Sequence, residues 1–174
     1  MKKVSVGLLA IFVVLGGIFL YKADSVTALQ GWFRPGPGLT RWKVVEAFVR
    51  DTGVALVNFP TAACTFTDVS STETYYEEIT TACENGWVSG YANGTFGPKN
   101  LITRSELAKE AYMVYAVPAY LPPAPSFPDI AGTWYEGYVE SLNVLGAILP
   151  TQAGIFDGNS VARQPFLDQI TNTL

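Results

Sequence analysis

Three arginines occupy like places in a recurring frame. Gly31-Trp32-Phe33-Arg34-Pro35 followed by Leu39-Thr40-Arg41 returns as Gly94-Thr95-Phe96-Gly97-Pro98 followed by Ile102-Thr103-Arg104, with the same internal spacing and a shift of 63 residues. A weaker third copy leads from Gly154-Ile155-Phe156 to Val161-Ala162-Arg163 and is one residue shorter between glycine and arginine. A guanidinium is planar and can hold a carboxylate with two parallel hydrogen bonds. The chain carries a net charge of −4, so its overall field repels anions, and an anionic ligand has to be captured by a few cations placed locally. Arg104 has the most intact surroundings, because Thr103 three residues before Glu106 has the spacing of a helix capping box. That spacing is favoured at a helix start with or without a ligand.

A second motif alternates with the first. Phe66-Thr67-Asp68-Val69 precedes Tyr75-Tyr76-Glu77, and Phe127-Pro128-Asp129-Ile130 precedes Trp134-Tyr135-Glu136. Asp68 and Asp129 have the chemistry to cap the approaching helix or to pair with an arginine of another repeat, and capping is the simpler role. Tyr75, Tyr76, Trp134 and Tyr135 can stack on a sugar ring, but at this spacing they read first as core anchors. Asn93-Gly94-Thr95 has the form of a glycosylation sequon and reads as a tight turn.

Much catalytic chemistry is excluded. The sequence has no histidine and two cysteines, which leaves no Ser-His or Cys-His pair and argues against a zinc site. It has no phosphate-cradling glycine loop with a lysine. Adjacent acids such as Glu77 and Glu78 cannot face each other across a cleft as a glycosidase requires. The expectation is a non-catalytic protein without cofactor or metal. Cys64 and Cys83 lie beyond an export-like segment, where an even count is consistent with a single disulfide; two buried thiols are the other reading.

These residues need elements to position them. Val4 to Tyr21 is almost uninterruptedly apolar between Lys2-Lys3 and Lys22. The run reads as a hydrophobic helix, either an export signal cut after Val26-Thr27-Ala28 or a membrane anchor through residues 4–21. Without residues 1–28 the chain has 8 basic and 14 acidic residues, so nucleic acid is not an expected partner. In the best repeat, Tyr75 to Asn85 reads as a first helix that Gly86 stops. Leu107, Ala111 and Val114 form the stripe of a second helix that ends before Pro118. The proline-rich stretch from Val117 to Pro128, and residues 54–65 before it, read as linkers. The organisation expected is an all-α fold: a signal or anchor at 1–28, a partial repeat at 29–53, a full repeat at 66–117 and a degenerate one at 127–174. The helix-loop-helix units would gather around a small helical bundle.

The motifs Phe66-Thr67-Asp68-Val69, Gly90-Tyr91-Ala92-Asn93-Gly94-Thr95-Phe96-Gly97-Pro98 and Thr103-Arg104-Ser105-Glu106 resemble the S-layer homology (SLH) family. The likeness covers residues 31 to 171 more loosely. It implies an exported protein at the cell surface whose repeats attach non-covalently to an anionic cell-wall polysaccharide or a peptidoglycan-linked polymer. Three such repeats usually form a pseudo-trimer. It also implies that the arginine of the Thr-Arg motif lies in the ligand groove, which puts Arg104 first and Arg41 and Arg163 after it, with Glu106, Asp68 and Asp129 around them. In Arg41 the frame is broken by Trp42-Lys43, and in Arg163 by Gln164-Pro165. A membrane-anchored structural subunit tethering membrane to wall is the alternative, and because the first repeat is incomplete, association with further copies into a homo-oligomer is left open.

Overall fold

Thr40 and Thr103 each stand one residue before a stretch of helix-forming residues with an apolar stripe, and each becomes the N-cap of a helix. The computed structural model describes residues 36–149 and 154–174 in full, and the backbone of 10–14 and 17–21. The chain divides into two compact units, Met1–Gly36 and Pro37–Leu174.

In the first unit, β1 (Ala10–Val14) pairs antiparallel with β2 (Gly17–Tyr21), with Ala10 opposite Tyr21 and Val14 opposite Gly17. This departs from the hydrophobic helix expected there. The β-branched Ile11, Val13, Val14 and Ile18 favour extended backbone, and only two residues, including Gly16, separate the strands. The expected signal or anchor otherwise falls outside the described residues. No helix among the described residues is long and apolar enough to cross a membrane.

The second unit is helical: α1 (Arg41–Thr52), α2 (Tyr76–Glu84), α3 (Arg104–Val114), α4 (Glu136–Val144) and α5 (Gln164–Thr171), with a 3-10 turn at Ala62–Cys64. The three helices that follow the arginine motifs, α1, α3 and α5, contact one another, while α2 lies on α1 and α4 on α3. Val44, Phe48, Ile102, Leu107, Leu142, Phe156 and Ile170 fill the main core, and Val45, Ile79 and Phe96 a second one beneath α2. The stripe expected for the second helix is buried as read: Leu107, Ala111 and Val114 all face inward. α2 ends where expected, with Gly86 in the left-handed region at φ 72°.

A closed ring of backbone hydrogen bonds ties the starts of the three central helices together. The Leu39 N–H donates to the Ala162 carbonyl (2.9 Å), the Ala162 N–H to Ile102 (2.9 Å), and the Ile102 N–H to Leu39 (3.0 Å). Each residue directly precedes a helix N-cap, so three quasi-equivalent positions satisfy one another without water. The bundle therefore closes its threefold centre among the described residues of this one chain.

Cys64 and Cys83 form a disulfide with Cα atoms 5.6 Å apart, which fixes the linker before the second repeat to α2 and excludes the reading of two free thiols.

Candidate functional site

The loop of one repeat docks on the helix start of the repeat before it. A helix leaves its first N–H groups without intrahelical acceptors. At α1 these are met by the following loop: the Arg41 N–H donates to Asn100 (2.9 Å) and Trp42 to Pro98 (3.1 Å). At α3 the pattern repeats, with Arg104 donating to Ser160 (2.9 Å) and Ser105 to Gly158 (3.0 Å). The two arginine side chains extend this docking.

Arg41 is buried, 7 % exposed. Its Nε donates to the Phe96 carbonyl (3.1 Å), one terminal nitrogen donates to Ser89 (3.0 Å), and the other lies 3.8 Å from Glu110. Its guanidinium sits 4.5 Å from the centre of the Phe96 ring and 5.3 Å from that of Tyr91, contacts worth about 0.5–2 kcal/mol each. Arg104 is half-buried and more lightly held. Its Nε donates to the Phe156 carbonyl (2.9 Å), and its guanidinium lies 3.9 Å from the Phe166 ring centre and 5.0 Å from that of Phe156. Its two terminal nitrogens have no hydrogen-bond partner among the described residues. Burial pulls its ionisation below the usual guanidinium range, opposed by the nearby Asp157 and Asp129. Arg104 therefore keeps hydrogen-bonding capacity that Arg41 does not.

Arg163 is the N-cap of α5 and lies on the surface. The third copy is thus shifted by one residue: Arg163 occupies the place of Thr40 and Thr103, and Gln164 the place of Arg41 and Arg104. The spacing is the signal, since Gln164 follows Gly154 by as many residues as Arg104 follows Gly94, and Pro165 in the first turn of α5 fits that helix start.

Asp68 and Asp129 do not cap the helices that follow them. Asp68 accepts the N–H groups of Phe96 (2.7 Å) and Gly97 (2.8 Å). Asp129 accepts those of Phe156 (2.8 Å) and Asp157 (2.7 Å). Each carboxylate braces the glycine-rich loop of its own repeat across nearly thirty residues, a pairing that local spacing cannot reveal. Tyr75 and Tyr135, both buried, are the N-caps of α2 and α4. The partner of Tyr75 is thus Tyr135, whereas Trp134 is 58 % exposed.

Glu106 completes the capping box expected from its spacing. Its carboxylate accepts the Thr103 N–H (2.8 Å), while Thr103 Oγ1 accepts the Glu106 N–H (3.3 Å). Asn93 turns as expected, its side-chain oxygen accepting the Thr95 N–H (3.1 Å) and hydroxyl (2.7 Å). Glu110, not expected from the motifs, falls within the buried Leu107, Ala111 and Val114 stripe, where an acid is conspicuous. Burial pushes its carboxyl up to about 8; Arg41 pulls the other way but does not overcome the desolvation. Arg41 is already shared with two carbonyls, and one Glu110 oxygen is buried without a hydrogen-bond partner among the described residues. Among the described residues no cluster of acids or cysteines could hold a metal.

Residues 65–108, from just before Phe66 and the bracing Asp68 through the start of α3, match the S-layer homology domain. Over 123 residues the chain is 30% identical to S-layer protein sap of Bacillus anthracis, covering 70% of this chain and 15% of that protein. It is 29% identical over 123 residues to an S-layer protein of Bacillus thuringiensis subsp. finitimus, with the same coverage. Over 137 residues it is 28% identical to Cell surface glycoprotein 1 of Acetivibrio thermocellus, covering 73% of this chain and 6% of that protein. The chain thus spans about 15% of the length of the first two relatives. The Phe-x-Asp brace, the glycine-rich loop and the Thr-Arg helix start thus form, within residues 65–108, the part of this chain that matches an S-layer homology domain.

Proposed function

We propose that this protein is exported and held at the cell surface by its repeats, at 29–53, 66–117 and 127–174, which bind an anionic cell-wall polysaccharide without catalysing a reaction. The observation that carries this reading is the contrast between two equivalent arginines. The Arg41 guanidinium is engaged on three sides by Phe96, Ser89 and Glu110. Arg104 is oriented by one carbonyl and two rings and leaves its terminal nitrogens to meet a carboxylate substituent on a sugar. The surrounding −4 chain favours such a ligand only at this local cation. Arg41 then serves mainly to dock the second repeat on the first, and the capping box of Thr103 and Glu106 fixes the backbone from which Arg104 projects.

The similarity to two S-layer proteins and a cell surface glycoprotein supports the envelope setting. The test is co-sedimentation with purified wall sacculi before and after extraction of their non-peptidoglycan polymers. Binding lost on extraction is the expected result; no sedimentation with intact sacculi overturns the proposal.

A further inference from the structure

We propose a second glycan subsite in the groove between the end of α3 and the start of α4, one that takes an uncharged pyranose by ring stacking. It rests on the wall-binding reading above and adds to it a contact that is independent of Arg104.

The groove encloses about 510 Å³, within the range of small-ligand sites. Tyr112, Tyr120, Trp134 and Tyr138 line it, with Glu136 and Ser141 at its polar edge. Trp134 is 58 % exposed; its ring meets Tyr138 at 6.4 Å, and Tyr138 meets Tyr112 at 5.0 Å. The hydroxyls of the three tyrosines and the indole N–H have no hydrogen-bond partner among the described residues. A pyranose presents a face of C–H bonds bordered by hydroxyls, which matches exposed aromatic faces bordered by unengaged polar tips. No lysine or arginine lines the groove, and Glu136 does, so an anionic sugar is disfavoured and an uncharged one fits.

Comparison with the equivalent interface one repeat earlier separates ligand binding from structural need. The linker meets the helix in the same way in both: the Val57 N–H donates to Thr81 Oγ1 (2.8 Å), and the Tyr120 N–H donates to Ser141 Oγ (2.9 Å). In that shared frame Val49, Val57, Thr74 and Glu78 stand where Tyr112, Tyr120, Trp134 and Tyr138 stand in the later repeat. The scaffold therefore forms the junction without aromatic residues at these four places; Tyr112 and Tyr138 pack partly against the main core, and the exposed rings of Trp134 and Tyr120 are the ones that call for another reason. The earlier junction carries the disulfide of Cys64 and Cys83, whereas the later one carries the groove.

The test uses the full chain and soluble wall fragments released by muramidase, separated by anion exchange into uncharged and anionic fractions, with binding read by titration calorimetry. Trp134→Ala should lose about tenfold or more in affinity for the uncharged fraction and keep its affinity for the anionic one, with an unchanged melting temperature; Trp134→Phe should restore most of the loss. Wild-type protein that ignores the uncharged fraction overturns the subsite. So does Trp134→Ala that binds it undiminished, or that melts earlier while still binding. Wild-type protein that binds neither fraction nor intact sacculi fails the wall-binding reading itself, a different result.

Discussion

Arg41 and Asp68 grip one residue from opposite sides: Asp68 accepts the Phe96 N–H at 2.7 Å, and Arg41 donates to the Phe96 carbonyl at 3.1 Å. Asp129 and Arg104 do the same to Phe156, at 2.8 and 2.9 Å. The aspartate belongs to the same repeat as the phenylalanine and the arginine to the repeat before it, so the pair joins the interior of a unit to its neighbour. With the Phe96 and Phe156 side chains fully buried, both polar ends of a core residue are satisfied by charged groups.

The aspartates should matter for stability more than their position suggests. Each accepts two N–H groups, and hydrogen bonds to a charged group contribute about 1.5–3 kcal/mol apiece. Because Asp68 is exposed, Asp68→Ala should cost only about 2 kcal/mol in urea unfolding. Asp68→Asn should cost less, since it keeps one acceptor oxygen. An Asp68→Ala protein as stable as wild type would show that the brace contributes nothing.

Arg41→Ala should be among the more destabilising substitutions in the second unit, at about 3 kcal/mol, because it leaves the Phe96 and Ser89 carbonyls without their charged donor. Thermal melting followed by circular dichroism reads it directly.

Stability should fall from acid toward alkaline pH through Glu110. Its folded value, about 8, lies above the ordinary carboxyl value of 4.5, so the folded protein holds a proton that the unfolded chain releases. The stabilisation is fully present below about 4.5 and is lost as pH rises through about 8. Its size is on the order of a few kcal/mol. Urea midpoints at pH 5, 7 and 9 should decline in wild type and flatten in Glu110→Gln; parallel profiles would contradict this.

Reduction should weaken the second repeat. The bridge between Cys64 and Cys83 joins residues 19 apart, a loop whose closure stabilises by about 3 kcal/mol in the chain-entropy model. A Cys64→Ala, Cys83→Ala protein should unfold at correspondingly lower urea, and adding dithiothreitol to it should change nothing further.

The local features are readable in the sequence. The Thr103 to Glu106 capping box, the stripe of Leu107, Ala111 and Val114, the stop at Gly86 and the S-layer homology frame all rest on residues a few positions apart, within reach of helix and turn geometry. Asp68 escapes that reach because its partners lie 28 and 29 residues away, and nothing local distinguishes a loop brace from a cap. Arg163 and Trp134 each stand one position before the true equivalent: Gln164, not Arg163, keeps the spacing from Phe156 that Arg104 keeps from Phe96, and the stretch from Asp129 to Tyr135 is one residue shorter than that from Asp68 to Tyr75. Hydropathy alone makes Val4 to Tyr21 a helix, whereas its β-branched residues and central glycines suit the paired strands β1 and β2. The burial of Arg41 requires the second repeat's loop in place above it.

The central claim is that Arg104 is the cation that meets the wall polymer, and the most direct measurement is the affinity of the full chain for intact sacculi with Arg104→Ala compared with wild type at two salt concentrations. The predicted result is a loss of about tenfold or more, larger at low salt, with the fold retained by circular dichroism. A folded Arg104→Ala protein that binds sacculi as tightly as wild type at both salt concentrations would contradict the account.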